Sequence, residues 1–287
     1  MKKPILCAGR LYCDLVFAGA PRLPTLGTEV FAPGLSLSAG GGAFITGATL
    51  AAMGHSVWQF SMLPAAPFDA IVRDDMIEHG VISSACKPAT AGTDPQITVA
   101  IATAADRAFL TRADGSAIPD PASIAFSDFS HLHIGELSTL QDTPALLTLA
   151  RSAGLTVSLD CSWQDDYDGN VANLIAAVDV FLPNEREAAA LTAVGVPEDC
   201  APLTVIKSGM QGARARNRNG KTWTRRKGAQ VEVLDATGAG DAFNAGFLAC
   251  WLDDAPLEKC LSEGNDCGAA AVQVVGGVQS FGGVISA

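Results

Sequence analysis

From about residue 130 onward, four short apolar runs, HLHIGEL (131–137), LTVSLDC (155–161), VDVFLPN (178–184) and PLTVIKSG (202–209), alternate with longer amphipathic stretches. Strands buried on both faces read as near-continuous apolar runs, and the helices that connect parallel strands cover those faces. The pattern therefore predicts a mostly parallel central sheet between two helical layers. TPALLTLARSAG (143–154) and EREAAALTAVG (185–195) read as connecting helices, and two more are expected at about 239–252 and 256–275.

The first third of the chain breaks this rhythm. PILCAG (4–9) is a buried strand, GGGAFITGATLAAMG (40–54) a glycine turn opening a small-residue helix, and SVWQFSML (56–63) and FDAIVRDDMIEHG (68–80) a strand and a helix. LYCDLVF (11–17), residues 29–37, ITVAIAT (97–103) and RAFLTR (107–112) instead suggest a small antiparallel sheet, the last two joined as a hairpin through AADR. The 287 residues are expected to form a single three-layer α/β/α domain carrying a β lid from about 11–38 and 96–113.

Composition narrows the function. Thirty acids against 19 bases give a net charge of −11, and no Lys/Arg run reads as a basic stripe, so no nucleic-acid partner is expected. The eight cysteines include no CxxC pair, and with the four histidines they make no zinc spacing. The apolar stretch at the start is broken by Arg10 and Asp14, which makes a poor signal peptide, and no window is long and apolar enough for a membrane span. A cytoplasmic protein is expected.

Several apparent motifs fail. GKT at 220–222 lacks the glycine a P-loop needs five positions earlier, where Ala215 stands, and Asn219-Gly220 reads as a hairpin turn instead. The GGG at 40–42 continues to Ile45 where a dinucleotide fingerprint needs glycine. No GxSxG elbow accompanies the serines, and His131 and His133 read as buried structural residues.

DATGAGDAFNAGF (235–247) is more constrained. Gly238 and Gly240 allow a sharp turn and close approach to a ligand, and the N–H groups of 238–241 at a helix start favour an anion. Asp241 is then either a helix cap or a base beside an anion-binding turn, its charged form favoured by the helix dipole. The small-residue approach favours the base, because Thr237 already offers capping chemistry.

The chain resembles the ribokinase-like (PfkB) carbohydrate kinases. VLDATGAGDAFNAGFL is similar to their C-terminal signature, AGGGAFITGATLAAMG to their N-terminal glycine signature, and GRLYCDLVF to their first substrate-contacting segment. LPNEREAAAL matches their N-x-x-E segment, and VIKSGMQGA their nucleotide-side strand and turn. The resemblance implies a kinase that transfers the γ-phosphate of ATP, with Mg2+, to a hydroxyl of a carbohydrate or sugar-like molecule. It implies Asp241 as general base and Gly238, Ala239 and Gly240 as anion hole. Asp14, with Gly40 and Gly41, would hold substrate hydroxyls; Asn184 and Glu187 would organise magnesium and its waters. Lys207, Ser208, Gly209 and Gly212 would lie along the triphosphate and ribose, and Asn265 on the adenine side. Asp235 and Thr237 would offer carbonyls to a monovalent cation such as K+, as in some members.

Two departures bear on the substrate. The family carries Asn at the sixth place of its glycine signature, here Ile45, and a glycine–acid pair near 61–67, here SMLPAAP. Arg10 and Arg107 are candidates for contacting an anionic substituent, or else surface ion pairs. The alternatives are a nucleoside kinase, which would need aromatic faces in a chain with 2 Tyr and 4 Trp, and a silent sugar-binding regulator. Apolar residues on the outer lid face are expected to pair two chains as a homodimer.

Overall fold

The computed structural model describes residues 3–103 and 107–273. The expected AADR turn and the last two positions of the closing helix lie partly outside them. Strands β1 (Ile5–Ala8), β4 (Val57–Phe60), β7 (His131–Ile134), β8 (Thr156–Leu159), β9 (Val180–Phe181), β10 (Leu203–Lys207), β11 (Ala213–Asn217) and β12 (Thr224–Arg226) form one sheet, in the order β12-β11-β10-β9-β8-β7-β1-β4. Six strands run parallel, and β11 and β12 close one edge antiparallel.

Helices cover both faces. On one, α1 (Gly42–Ala52) and α7 (Ala239–Trp251) bury Ala43, Leu50, Ala245 and Ala249 against Ile5, Cys7 and Val57, while α7 and α8 (Leu257–Ala271) pack Phe247 and Leu261 on Val205 and Ala215. On the other, α3 (Leu137–Asp142), α4 (Ala145–Ser152), α5 (Val171–Ala176) and α6 (Glu185–Ala193) bury Leu140, Leu146, Ile175 and Leu191 against the sheet. α4 is shorter than the expected 143–154 because the chain enters it at Pro144, its N-cap, and leaves it at Ala153. His131 and His133 are fully buried and share the Ser158 hydroxyl, at 2.8 and 2.9 Å.

A second sheet, in the order β3-β2-β5-β6, is built from β2 (Tyr12–Ala20), β3 (Gly34–Gly40), β5 (Ile97–Thr103) and β6 (Arg107–Arg112). It is mixed, not wholly antiparallel as expected: β2 and β5 pair parallel. The chain crosses through α1, β4 and α2 (Phe68–Glu78) between them, so both strands run in the same direction. Register sets the faces. Leu15, Phe17, Leu35, Leu37, Val99, Ile101 and Leu110 share one face, and Asp14, Ser38, Thr98, Phe109 and Arg107 the other. The inner end of the apolar face packs on Phe44, Ile45, Val72 and Met76. Ile45, 5% exposed, is thus a core residue here.

The β11–β12 hairpin gathers several of the chain's basic residues. Arg214, Arg216, Arg218, Lys221, Arg225, Arg226 and Lys227 cluster there, but Arg214 is spent on Glu185 and Glu198, and Arg216 on Asp199.

Candidate active site

Two helices begin at the same place. α1 starts after Gly41 (φ 109°) and α7 after Gly238 (φ 71°), and neither has a side-chain cap. Both leave first-turn N–H groups to face whatever lies beyond. Asp241 is the third residue of α7, not its cap; Gly238 is the cap. The capping reading of Asp241 therefore falls, and the hydroxyl of Thr237 is engaged by Arg107 instead of capping α7. The Asp241 carbonyl accepts from the Thr46 hydroxyl at 3.1 Å, and a Cβ on Gly42 would lie 2.8 Å from Asp241 Oδ1. Glycine at 42 lets the Asp241 carboxylate sit against the first turn of α1. A Cβ on Gly41 would collide with the carbonyl of Arg10.

Beside Asp241 lies a knot of buried polar groups. Lys207, at the end of β10, reaches Asp160 Oδ2 at 2.9 Å, Asp160 Oδ1 at 3.1 Å and Asn244 Oδ1 at 3.1 Å. Asn244, one turn along α7 from Asp241, donates through Nδ2 to Asp160 Oδ2 at 2.5 Å. Glu187 and Asn184 form a full capping box at the start of α6: Asn184 Oδ1 accepts the Glu187 N–H at 3.0 Å, and Glu187 Oε2 the Asn184 N–H at 2.8 Å. Glu136, at the start of α3, accepts the Arg10 N–H at 2.6 Å and the Thr139 hydroxyl.

Three carboxylates, Asp160, Glu187 and Asp241, thus act on one lysine, and a fourth, Glu136, acts on Asp241. Burial, then the charge of Asp160, pushes the Asp241 carboxyl up to about 7, with Lys207 pulling the other way. Burial and Asp160 likewise push Glu187 up to about 7, and burial raises Glu136. Burial draws the Lys207 ammonium down, but Asp160, Glu187 and Asp241 outweigh it, and the net direction is up. This reverses the sequence expectation for Asp241. A helix dipole is worth about 0.3–1 kcal/mol at an exposed end, less than desolvation among like charges.

A cavity of about 480 Å3 opens from this cluster. It is lined by Gly42, Ala239, Gly240 and Asp241, by Asp160, Asn184, Glu187 and Lys207, by Gly209 and Gly212, and by Asn265 with Val231 and Val233. Gly212 (φ 91°) has no room for a Cβ against the carbonyl of Arg226. Asn265 donates to the carbonyls of Arg226 and Lys227 at 3.3 and 3.2 Å, pinning the segment after β12. Ser208, expected along the triphosphate, turns its hydroxyl to Glu185 at 2.8 Å and lines a neighbouring cleft.

On the small sheet, Asp14 hydrogen-bonds Thr98 and lies directly over Gly40, where any Cβ would overlap its carboxylate. Burial pushes Asp14 up to about 6. Neither arginine considered for an anionic substituent is uncommitted. Arg10 bonds Gln96 and the carbonyls of Asp114 and Gly115, at 3.1 and 3.0 Å, while Arg107 pairs with Asp235 and Thr237. The sequence reading missed Asp160, Asn244 and Glu136. Asp160 did carry a signal, a carboxylate just past the C-terminal end of a parallel strand, where ligands bind in open α/β sheets.

The model of the pfkB family carbohydrate kinases matches residues 20–281, and the chain belongs to that family. Among curated proteins it is 37% identical over 145 residues to an ATP-dependent ribose-1-phosphate kinase of Halopiger xanaduensis, covering 48% of this chain and 47% of that protein. It is 28% identical over 130 residues to a cytidine kinase of Thermococcus kodakarensis, covering 42% and 47%. The aligned stretches thus span about half the length of these relatives. Among solved structures, a putative ribokinase from Agrobacterium tumefaciens superposes with a TM-score of 0.83 over 98% of this chain and 94% of its own, at 18% identity. Arabidopsis thaliana ribokinase, solved with ribose and ATP, gives 0.79 over 98% and 96%, also at 18% identity. The fold is ribokinase-like.

Proposed function

We propose that this protein is an ATP-dependent kinase that phosphorylates a hydroxyl of a sugar or sugar-like molecule, with Asp241 as general base. The observation that carries the reading is the placement of Asp241. Its carboxylate lies against the start of α1, in the first turn after Gly238, and lines the same cavity as Lys207. A carboxyl near 7 is matched to taking a proton at neutral pH. The outward N–H groups at the start of α7 and the Lys207 ammonium suit charge on a phosphoryl group in transfer, where catalysis is mainly positioning and electrostatics. In this reading Asp14 orients the acceptor, and the small sheet is the lid that excludes water. Asn184, Lys207, Gly209, Gly212 and Asn265 border the nucleotide.

The donor set fits a hydrated divalent cation, which we take as Mg2+. Among the described residues no group of three or more His, Cys, Asp or Glu forms a metal cage. Glu187 and Asn184 instead offer oxygens near the phosphate path, and Mg2+ characteristically keeps several waters. When bound, the ion would supply positive charge to balance three acids that face one lysine.

Turnover of ATP measured against sugars, sugar acids, sugar phosphates including ribose 1-phosphate, and nucleosides including cytidine tests the proposal. Phosphorylation of one class is the expected result. Tight ligand binding with no turnover on any candidate would replace it with a silent sugar-binding regulator. Preference for a nucleoside would follow if Phe109, on the Asp14 face and 54% exposed, stacks on a base.

We further read the outer small-sheet face, where Leu35 and Leu110 are 55% and 75% exposed, as the contact of a homodimer. Sedimentation should give a dimer that Leu110→Lys converts to a monomer.

A further inference from the structure

Arg107 opens β6 on the same face as Asp14, yet its guanidinium is turned across to the segment before α7. It pairs with the Asp235 carboxylate and contacts the Thr237 hydroxyl, 130 residues away in sequence. The pair is nearly closed to water, at 18% and 8% exposure of the two side chains. Asp235 in turn braces the turn: its Oδ1 accepts the Thr237 N–H at 2.8 Å, and its own N–H donates to the Val272 carbonyl at 3.1 Å. The next residue after Thr237 is Gly238, the left-handed cap from which α7 departs. A charged carboxylate at that burial needs a counter-charge, and the guanidinium supplies it.

We infer that Arg107 is a positioning residue: it is the resident cation of the 235–238 turn and ties the small sheet to the helix start that carries Asp241. Closing the small sheet over the substrate and setting the N–H groups at the start of α7 are then one event.

The same contact bears on the monovalent cation expected at the carbonyls of Asp235 and Thr237. These residues do not fit one. A guanidinium already touches both side chains, so a cation at the carbonyls would put a second positive charge on the same 235–237 stretch, where like charges repel outside bulk water. The enzyme is therefore expected to work without K+. The coupling stands on the ion pair; its consequence for nucleotide binding and turnover rests on the kinase reading, so the test includes an arm that needs neither.

Wild type, Arg107→Ala and Arg107→Lys are compared in KCl and in tetramethylammonium chloride at equal ionic strength. Hydrogen exchange on the ligand-free protein is the first readout. Arg107→Ala should speed exchange in both 107–112 and 235–241, and Arg107→Lys should largely restore it. ATP affinity and turnover are the second. Wild type should be indifferent to the salt. Arg107→Ala should lose on the order of tenfold in tetramethylammonium, a typical inter-site coupling, and recover part of it with K+ or with millimolar guanidinium. Exchange at 235–241 unchanged in Arg107→Ala, or wild-type ATP binding that needs K+, would overturn the inference. Should Arg107→Ala not fold, Arg107→Lys and the salt response of wild type decide it. Coupled exchange with no ATP binding would retire the kinase reading and leave the coupling standing.

Discussion

The starts of α1 and α7 are built alike and used differently. Each begins on a glycine with positive φ, each lacks a side-chain cap, and each faces the same cavity mouth. The first turn of α7 holds an acid, Asp241, whereas that of α1 holds none. What fills the end of α1 is its neighbour's carboxylate, admitted because Gly42 has no Cβ. In the proposed reading, one helix presents the reacting group and the other shapes the space for it. Glycine at the two starts therefore means different things: tolerance of a ligand at α7, tolerance of a side chain at α1.

The largest expected effect removes the difference outright. Asp241→Asn keeps the shape of the side chain but cannot take a proton, so kcat should fall about 10²–10⁴-fold. Because the native carboxyl is held up near 7 by burial and Asp160, its ionised form destabilises the fold at alkaline pH. The variant should thus melt no lower than wild type at pH 8, a point calorimetry settles. A large melting loss with intact turnover per folded molecule would return Asp241 to a structural role.

Gly42→Ala tests the receiving helix. Alanine ordinarily stabilises a helix interior over glycine by about 0.5–1 kcal/mol, but here its methyl would lie 2.8 Å from Asp241 Oδ1 and 3.0 Å from the Gly135 carbonyl. Displacing the carboxylate by about 1 Å should cost on the order of 10²-fold in kcat with ATP affinity held within a few-fold. Equal losses in both would say that α1 is damaged as a whole.

The pH profile sharpens the comparison without a mutation. A base must be deprotonated, so kcat/KM should climb about tenfold per pH unit below about 7 and level off above it. Stability of the ligand-free protein should run the other way. Carboxyls raised in the folded state favour folding at low pH, and that advantage is lost as Asp241 and Glu187 ionise through about 7. A flat rate profile from pH 5 to 8 would remove Asp241 from the proton transfer.

The smallest effect is expected at Gly240→Ala. Its Cβ would stand 3.4 Å from Lys207 Nζ, an ordinary van der Waals distance that displaces nothing, so melting should change by less than about 1 kcal/mol. ATP affinity is the quantity to follow there, since the methyl would enter the cavity.

How much of this was legible in sequence follows from how local each feature is. The glycine turns, the N-x-x-E segment and the alternating βα rhythm are written in consecutive residues, and the sheet under residues 130–210 forms as the apolar runs indicate. The Lys207–Asp160–Asn244 knot joins positions 47 and 84 residues apart, so no spacing rule could pair them. Arg107 was visible as a charge near the site, but its partners lie across the molecule. Charge state was misjudged for a related reason. The helix start that should ionise Asp241 is local, whereas burial and the acids that oppose ionisation, chiefly Asp160, come from elsewhere in the fold. The direction of β5 against β2 was likewise set by the intervening crossover and not by alternation within either strand.

That parallel pairing has a consequence for how such a protein can change. A sheet of consecutive hairpins can be lifted from one chain and set into another as a single insert. Here the central pair is divided by α1, β4 and α2, so a graft of residues 12–40 alone carries β2 and β3 away from the strand they lean on. A working transplant must take 12–112, and with it the start of α1, where Gly42 lines the cavity and receives the Asp241 carboxylate. If Asp14 orients the acceptor as proposed, substrate preference in this architecture is hard to trade by recombination and is left to single substitutions on the Asp14 face.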